Sequence, residues 1–280
     1  MAMSEAMTQI PVGRSGKHAI QIAREAAIVA GEILLKRFDS EISVSYKGRG
    51  NIVTDVDTQV QKKVFEILST EYPDMNFLGE ESPGIRADQG YVWIVDPLDG
   101  TRNFASGIPF FSTVIGLALN GEVLVGINYD PVSQDMFEAE RGHGAFLNGN
   151  KMAISERTEI EDCIIGMDLS YANVGAANSL DVIRKIWPGM QTARIMGSSA
   201  LGISYAASGR TDLYFNHQLE PWDQVAGLLF IEEAGGIVTD RSGKRASLYS
   251  DGLIASNSTL INEFMKLTDG APWRKAKHKS

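Results

Sequence analysis

Cysteine is almost missing from this chain: Cys163 is the one thiol in 280 residues. A disulfide framework is thereby excluded, and so is a zinc site built on thiolates. The lone thiol reads as a small buried hydrophobe, and the chain as a cytoplasmic one. Positive charge is also scarce. The 35 acidic residues outnumber the 26 basic ones and leave a net charge of −9. That balance argues against nucleic acid as a partner, because phosphate backbones need basic surfaces. No apolar run reaches the roughly 18 residues that a membrane span needs, so no membrane is expected. Internal repeats and low-complexity segments are missing as well. Residues 1–16 lack a signal peptide's apolar core and read as a flexible lead-in. What remains is 44% hydrophobic and 22% charged, enough for a well-buried core.

The pattern along the chain changes near residue 154. Residues 17–38 place Ile20, Ala23, Ala27, Ala30 and Leu34 at helical spacing, and 57–72 repeats the pattern until Pro73. A glycine-containing loop is expected at 46–51. Strand-like runs follow at 76–78, 91–95, 112–119, 123–129 and 136–139. Asn120-Gly121 marks a hairpin between the third and fourth of these. Gly142, Gly144 and Gly149 read as turn glycines, since no strand-helix unit surrounds them. Beyond residue 154 strands and helices alternate. Helices are expected at 178–187, 197–208, 222–233 and 258–268, the last capped by Ser258. The chain divides into an N-terminal α+β subdomain (17–154) and a C-terminal α/β subdomain (155–270). A basic segment, 271–280, reads as a solvated tail.

Acidic residues recur where apolar runs meet turns or helix starts: Asp55 and Asp57, Glu80 and Glu81, Asp96 and Asp99, and Asp223. Singly, each has a plain reading. Asp55, Asp57 and Asp223 can favour helix N-termini through the dipole, and Glu80-Glu81 can be a solvated loop. Together they cannot all ionise side by side without counter-charge. Oxygen ligands without His or Cys select hard cations, Mg²⁺ first and Mn²⁺ next. The segment VDPLDGT adds turn chemistry to this. Pro97 biases Asp96 toward extended backbone, and Gly100 permits a sharp bend. Thr101 then opens a short helix whose free N–H groups suit phosphate oxygens. Metal ligands and an anion cradle within six residues point to metal-assisted phosphate-ester hydrolysis.

At this point a resemblance enters. WIVDPLDGTRNFASGIPFF resembles the first signature of the inositol monophosphatase family, lithium-sensitive, Mg²⁺-dependent phosphatases, and PWDQVAGLLFIEEAGGIVTD resembles the second. NIVTDVD and FLGEES are similar to the family's other two acidic segments, in order. The resemblance implies a layered αβαβα sandwich of the sugar-phosphatase type and a homodimer. It implies two or three Mg²⁺ per site, replaceable by Mn²⁺. Glu80, Asp96 and the Leu98 carbonyl would bind the first, Asp96, Asp99 and Asp223 the second, and Glu80 would help hold a weaker third. Thr101, paired with Asp57 rather than Asp55, would position the attacking water. The Gly100 and Thr101 amides would hold phosphate, and Glu81 would stand behind the ligands.

The substrate is read as a small phosphorylated polyol, inositol-1-phosphate first, with histidinol phosphate and fructose 1,6-bisphosphate as alternatives. Arg102-Asn103 demotes adenosine nucleotides. A metal-binding scaffold without activity is the non-enzyme alternative. The leaving-group pocket is expected at Gly197, Ser198, Ser199 and Asn216. Inositol-specific members carry an acid at the position of Asn216, so Glu220 and His217 are the nearby groups that would compensate.

Overall fold

The computed structural model describes residues 10–275 except 39, 41, 42, 49, 50, 83 and 85. Most of the lead-in and the end of the basic segment lie outside the described residues. The chain opens with α1 (Ala19–Phe38), a hairpin of β1 (Val44–Gly48) and β2 (Asn51–Thr54), and α2 (Asp55–Glu71). Of the loop expected at 46–51, residues 46–48 and 51 lie in these strands, and 49 and 50 lie outside the described residues. Seven strands then form one sheet in sequence order: β3 (Asn76–Gly79), β4 (Tyr91–Asp99), β5 (Ser112–Leu119), β6 (Glu122–Asp130), β7 (Asp135–Glu140), β8 (Gly144–Leu147) and β9 (Asn150–Lys151). Only the β3–β4 pairing is parallel. The short helix α3 (Thr101–Ala105) interrupts the run. At the β5–β6 turn, Asn120 and Gly121 take φ of 50° and 86°, the left-handed pair that the hairpin signal requires.

The second half builds a five-stranded mixed sheet. Its elements are β10 (Ile164–Met167), α4 (Asn173–Ile186), β11 (Thr192–Ile195), α5 (Ser199–Ala207), β12 (Leu213–Asn216), α6 (Pro221–Glu233), β13 (Ile237–Asp240), β14 (Leu253–Ser256) and α7 (Ser258–Leu267). The strand order is β11-β10-β12-β14-β13. The final helix is capped by Asn257, whose side chain accepts from Leu260 N; Ser258 is already helical.

Three cores hold five layers together. Helices α1 and α2 bury Ala23, Ala27, Leu34, Val60 and Val64 against Trp93, Ile115 and Ile127 of the larger sheet. The other face of that sheet packs on α5 and α6, which also meet the smaller sheet. Its outer face is covered by α4 and α7. The result is the αβαβα sandwich that the resemblance implied, with α5 and α6 as the shared middle layer. Close approach makes this layer possible: a Cβ on Gly126 of β6 would stand 2.9 Å from Ala226 Cα of α6. No helix among the described residues is long and apolar enough to cross a membrane.

Both ends of the described chain are tied down. The Arg14 amide donates to Glu71 O at 3.2 Å, and Tyr72 Oη donates to Pro11 O at 3.3 Å. Trp273 is fully buried against Phe215 and Phe264. The reading of 271–280 as solvated fails there, because an indole in a basic segment contributes far more by burial than its neighbours do by hydration. Gly142 sits in the β7–β8 turn and Gly144 opens β8, and their amides donate to Glu233 carboxylate oxygens at 2.8 Å.

Candidate active site

Two adjacent acids at the start of α2 have opposite fates. Asp55 is exposed and pairs with Arg37 at 2.8 Å, which lowers its carboxyl below the usual range. Asp57 is 1% exposed. As the third helical residue it closes a capping box: Thr54 N and Oγ1 donate to its Oδ2 at 2.8 and 2.5 Å, and Val56 N donates to Thr54 Oγ1 at 3.2 Å. Burial raises the Asp57 carboxyl, and nearby Glu81 adds to the rise. Its other oxygen faces Thr101 Oγ1 at 3.3 Å. Thr101 Oγ1 also lies 2.9 Å from Leu98 O, so its single proton is shared between two acceptors.

Strand β4 carries the next acids. Asp96 pairs with Val114 of β5 and Asp99 with Ser112, so β4 holds one extra residue between them. This bulge turns Asp96 and Asp99 to the same end of the sheet. Leu98 N donates to Asp96 Oδ1 at 3.0 Å, and Thr113 Oγ1 donates to Pro97 O at 3.0 Å. Gly100 follows with φ 87°; a Cβ there would meet Phe110 O at 3.0 Å and Gly197 O at 3.3 Å. The bend therefore requires glycine, and it starts α3 at Thr101. Glu80 and Glu81 leave β3 beside this turn. The Glu81 amide donates to Gln61 Oε1 of α2 at 3.0 Å, which fixes the loop.

Asp99 reaches across to the C-terminal half. It accepts from the Ser198 hydroxyl, from Ser199 Oγ at 3.1 Å and from Ala200 N at 3.1 Å. Asp223 also closes a capping box, with Glu220 N donating to its Oδ2 at 2.7 Å and Pro221 at the first helical position of α6. Carboxylate oxygens of Asp96, Asp99 and Asp223 come within 4.8 Å of one another, and so do those of Asp57, Glu80 and Glu81. Burial raises the Asp96 carboxyl well above its ordinary range, and Glu80, Asp99 and Asp223 push it further. Asp223 rises for the same reasons, burial first and Asp99 next. Asp99 is raised by burial and eased by its serine donors. Such a set is stable in ionised form only with added positive charge. All donors are oxygens, which fits a hard divalent cation.

Glu80, Asp96, Asp99, Thr101 and Asp223 line a cavity of about 500 Å³, with Asp57 and Glu81 outside its lining. Its floor holds Glu80, Asp96, Asp99 and Asp223, and its far wall holds Asp168, Tyr171, Gly197, Asn216 and Glu220. Asn216 is buried; its Nδ2 donates to Tyr214 Oη at 3.1 Å and its Oδ1 accepts from Gln218 N at 3.1 Å. His217 does not line this cavity. Its ring lies 3.4 Å from Arg241, on the side of α4. Alternation along an extended segment explains the difference: Asn216 faces in, so its neighbour faces out. Arg102 projects over the Tyr171 ring at 4.5 Å. Sequence reading missed Gln61, Asp168 and Tyr214. Asp168 carries the same signal as the recognised acids, a carboxylate ending an apolar run, here CIIGM.

A sequence model of the inositol monophosphatase family matches residues 17–270. An inositol-1-monophosphatase of Mesorhizobium japonicum is 35% identical over 88% of this chain and 94% of that protein. A fructose-1,6-bisphosphatase/inositol-1-monophosphatase of Thermotoga maritima is 35% identical over 85% of this chain and 91% of its own. The crystal structure of extragenic suppressor protein suhB from Bartonella henselae superposes with a TM-score of 0.85 at 35% identity. That match covers 89% of this chain and 98% of the other.

Proposed function

The chain belongs to the inositol monophosphatase family, and on that premise we propose that it is a Mg²⁺-dependent phosphomonoesterase acting on a small phosphorylated polyol, inositol-1-phosphate first. The observation that carries this reading is the meeting of the oxygen-only acids Glu80, Asp96, Asp99 and Asp223 with Thr101 in one cavity, where Asp57 accepts from Thr101 Oγ1. The family is metal-dependent, and the donor set here suits hard cations. Asp96, Asp99 and Asp223 would hold one, and Glu80, Asp96 and the Leu98 carbonyl another, with Mn²⁺ able to substitute. When bound, these ions supply positive charge to the phosphate oxygens and lower the pKa of water.

The chain's own groups then do the positioning. Thr101 Oγ1 donates its proton to Asp57 and keeps its lone pairs for a water molecule. Asp57, held by Thr54, would take the Thr101 proton as Thr101 takes one from that water. The Gly100 and Thr101 amides face the phosphate. The water oxygen bonds to phosphorus, the phosphorus–oxygen ester bond breaks, and the leaving alkoxide takes up a proton. Asp55, engaged with Arg37 on the surface, has no part in this.

The names of the relatives support both inositol-1-phosphate and fructose 1,6-bisphosphate as substrates, and histidinol phosphate stands as a third candidate. Comparison of kcat/KM for the three with Mg²⁺, and again after chelation, ranks them. Absence of phosphate release from all three, with no binding of Mg²⁺, would leave the metal-binding scaffold as well as the enzyme reading without support. A homodimer, sensitivity to Li⁺ and residence in the cytoplasm complete the reading.

A further inference from the structure

Strand β10 ends at Met167, and the next side chain, Asp168, has no part in the chemistry above. It is 7% exposed, yet it lines the cavity. Two donors fix its carboxylate: Gly197 N on Oδ1 at 2.5 Å and Tyr214 Oη on Oδ2 at 2.7 Å. The Asn216 amide donates to Tyr214 Oη in turn, at 3.1 Å. Strands β10 and β12 are parallel neighbours with Met167 opposite Phe215. Asp168 and Asn216 therefore stand side by side at the carboxyl ends of parallel strands, where α/β sheets receive ligands.

A carboxylate accepts on both oxygens, so Asp168 braces Gly197 N and Tyr214 Oη at once, where an amide would satisfy only one of them; bracing alone does not require the group to line a cavity. Burial pushes the Asp168 carboxyl up to about 7, and Asp99 adds to the rise. The chain retains a group that is costly to ionise and faces a cavity. Retention of such groups at the expense of stability is characteristic of binding sites.

Resting on the phosphatase reading, we propose that Asp168 is the specificity-determining residue of the leaving-group pocket, accepting hydrogen bonds from the hydroxyl groups of the departing polyol. Tyr214 is the positioning residue that aims it, and Asn216 holds the Tyr214 hydroxyl in turn. A site that hydrogen-bonds a substrate hydroxyl discriminates strongly against a leaving group without one, because its buried acceptor is then unpaired.

The test is Asp168→Asn in the full chain with Mg²⁺, assayed on inositol-1-phosphate and on p-nitrophenyl phosphate, whose leaving group has no hydroxyl donors. The ratio of the two kcat/KM values is expected to fall about tenfold or more, chiefly through KM for the polyol. The melting temperature should hold or rise, since a buried charge is removed. Tyr214→Phe should shift the ratio in the same direction by a few-fold at most, with kcat for the polyol nearly kept. An unchanged ratio in Asp168→Asn overturns the inference, and so does equal slowing of both substrates with a lowered melting temperature. A native protein that releases phosphate from neither substrate overturns the phosphatase reading itself, and this inference with it.

Discussion

The floor and the far wall of the cavity hold their side chains by different means. At the floor, Asp223 and, behind Thr101, Asp57 are each the third residue of a helix and are locked by capping boxes, while Asp96 and Asp99 are set by a bulge in a central strand. Local backbone geometry fixes Asp57, Asp96 and Asp223, and Asp99 is held as well by Ser198, Ser199 and Ala200 of the C-terminal half. On the far wall, Asp168 and Asn216 are linked through the buried Tyr214 by a chain of side-chain bonds between strand ends, and the adjoining Leu169 and Tyr171 are exposed. The floor tolerates little change because its carboxylates belong to helix starts or to a strand bulge. The far wall admits substitution without disturbing a helix start or a strand register. A fold organised this way keeps its chemistry and varies its substrate.

The largest effect expected from this contrast is on the floor. Asp96→Asn or Asp223→Asn should lower turnover by roughly three orders of magnitude or more, since a cation's charge stabilisation is several kcal/mol and each ~1.4 kcal/mol is a factor of ten. Circular dichroism should remain native. A near-native rate in either variant would remove the metal assignment. Next comes Thr101→Ala, expected to slow kcat by about 10²-fold or more with a smaller change in KM, as for loss of a proton-positioning group. A KM effect alone would move Thr101 to the binding side of the comparison.

Stability should follow the same division as pH changes. The Asp57, Asp96, Asp99, Asp168 and Asp223 carboxyls are all raised in the folded chain. The folded state therefore binds more protons than the unfolded one above the ordinary carboxylate range. Its stability is fullest below about pH 4 for these groups and declines as pH rises toward about 7, the value for Asp168. Thermal melts of the metal-free protein should show that decline. Added Mg²⁺ should raise the melting temperature more at pH 7 than at pH 5, because ionised floor carboxylates bind it. Equal shifts at the two pH values would count against the floor as the cation site. The smallest effect belongs to Asp55→Asn, which removes a surface pair. It should move the melting temperature by about 2 °C or less and leave the rate within about twofold.

The floor was legible in the sequence because it depends on short-range signals. Pro97 and Gly100 announce the turn, and acids at helix starts announce Asp57 and Asp223. The plain reading of those acids as helix-start residues and the functional one turn out to be compatible: the capping box is what fixes the carboxylate. The choice of Asp57 over Asp55 needed the resemblance, since both open the same helix and burial separates them only in three dimensions. The far wall was less legible. Asp168 and Tyr214 are 46 residues apart and meet through the pairing of β10 with β12, which no local pattern encodes. His217 was misplaced because strand alternation continues past the end of β12. The cap of α7 moved by one residue to Asn257, since Asn and Ser are both good caps and only the backbone decides. The 271–280 segment misled through its charge, which concealed one large apolar side chain.

One loop joins the two walls. Ser198, Ser199 and Ala200 hold Asp99, and the preceding Gly197 amide holds Asp168. A cation at Asp99 would act on Ser198, Ser199 and Ala200, which adjoin the Gly197 amide that holds Asp168. Ion occupancy and alcohol preference are then linked quantities, each altering the other's free energy by an equal amount. The order in which this chain ranks its substrates should accordingly depend on whether Mg²⁺ or Mn²⁺ is present.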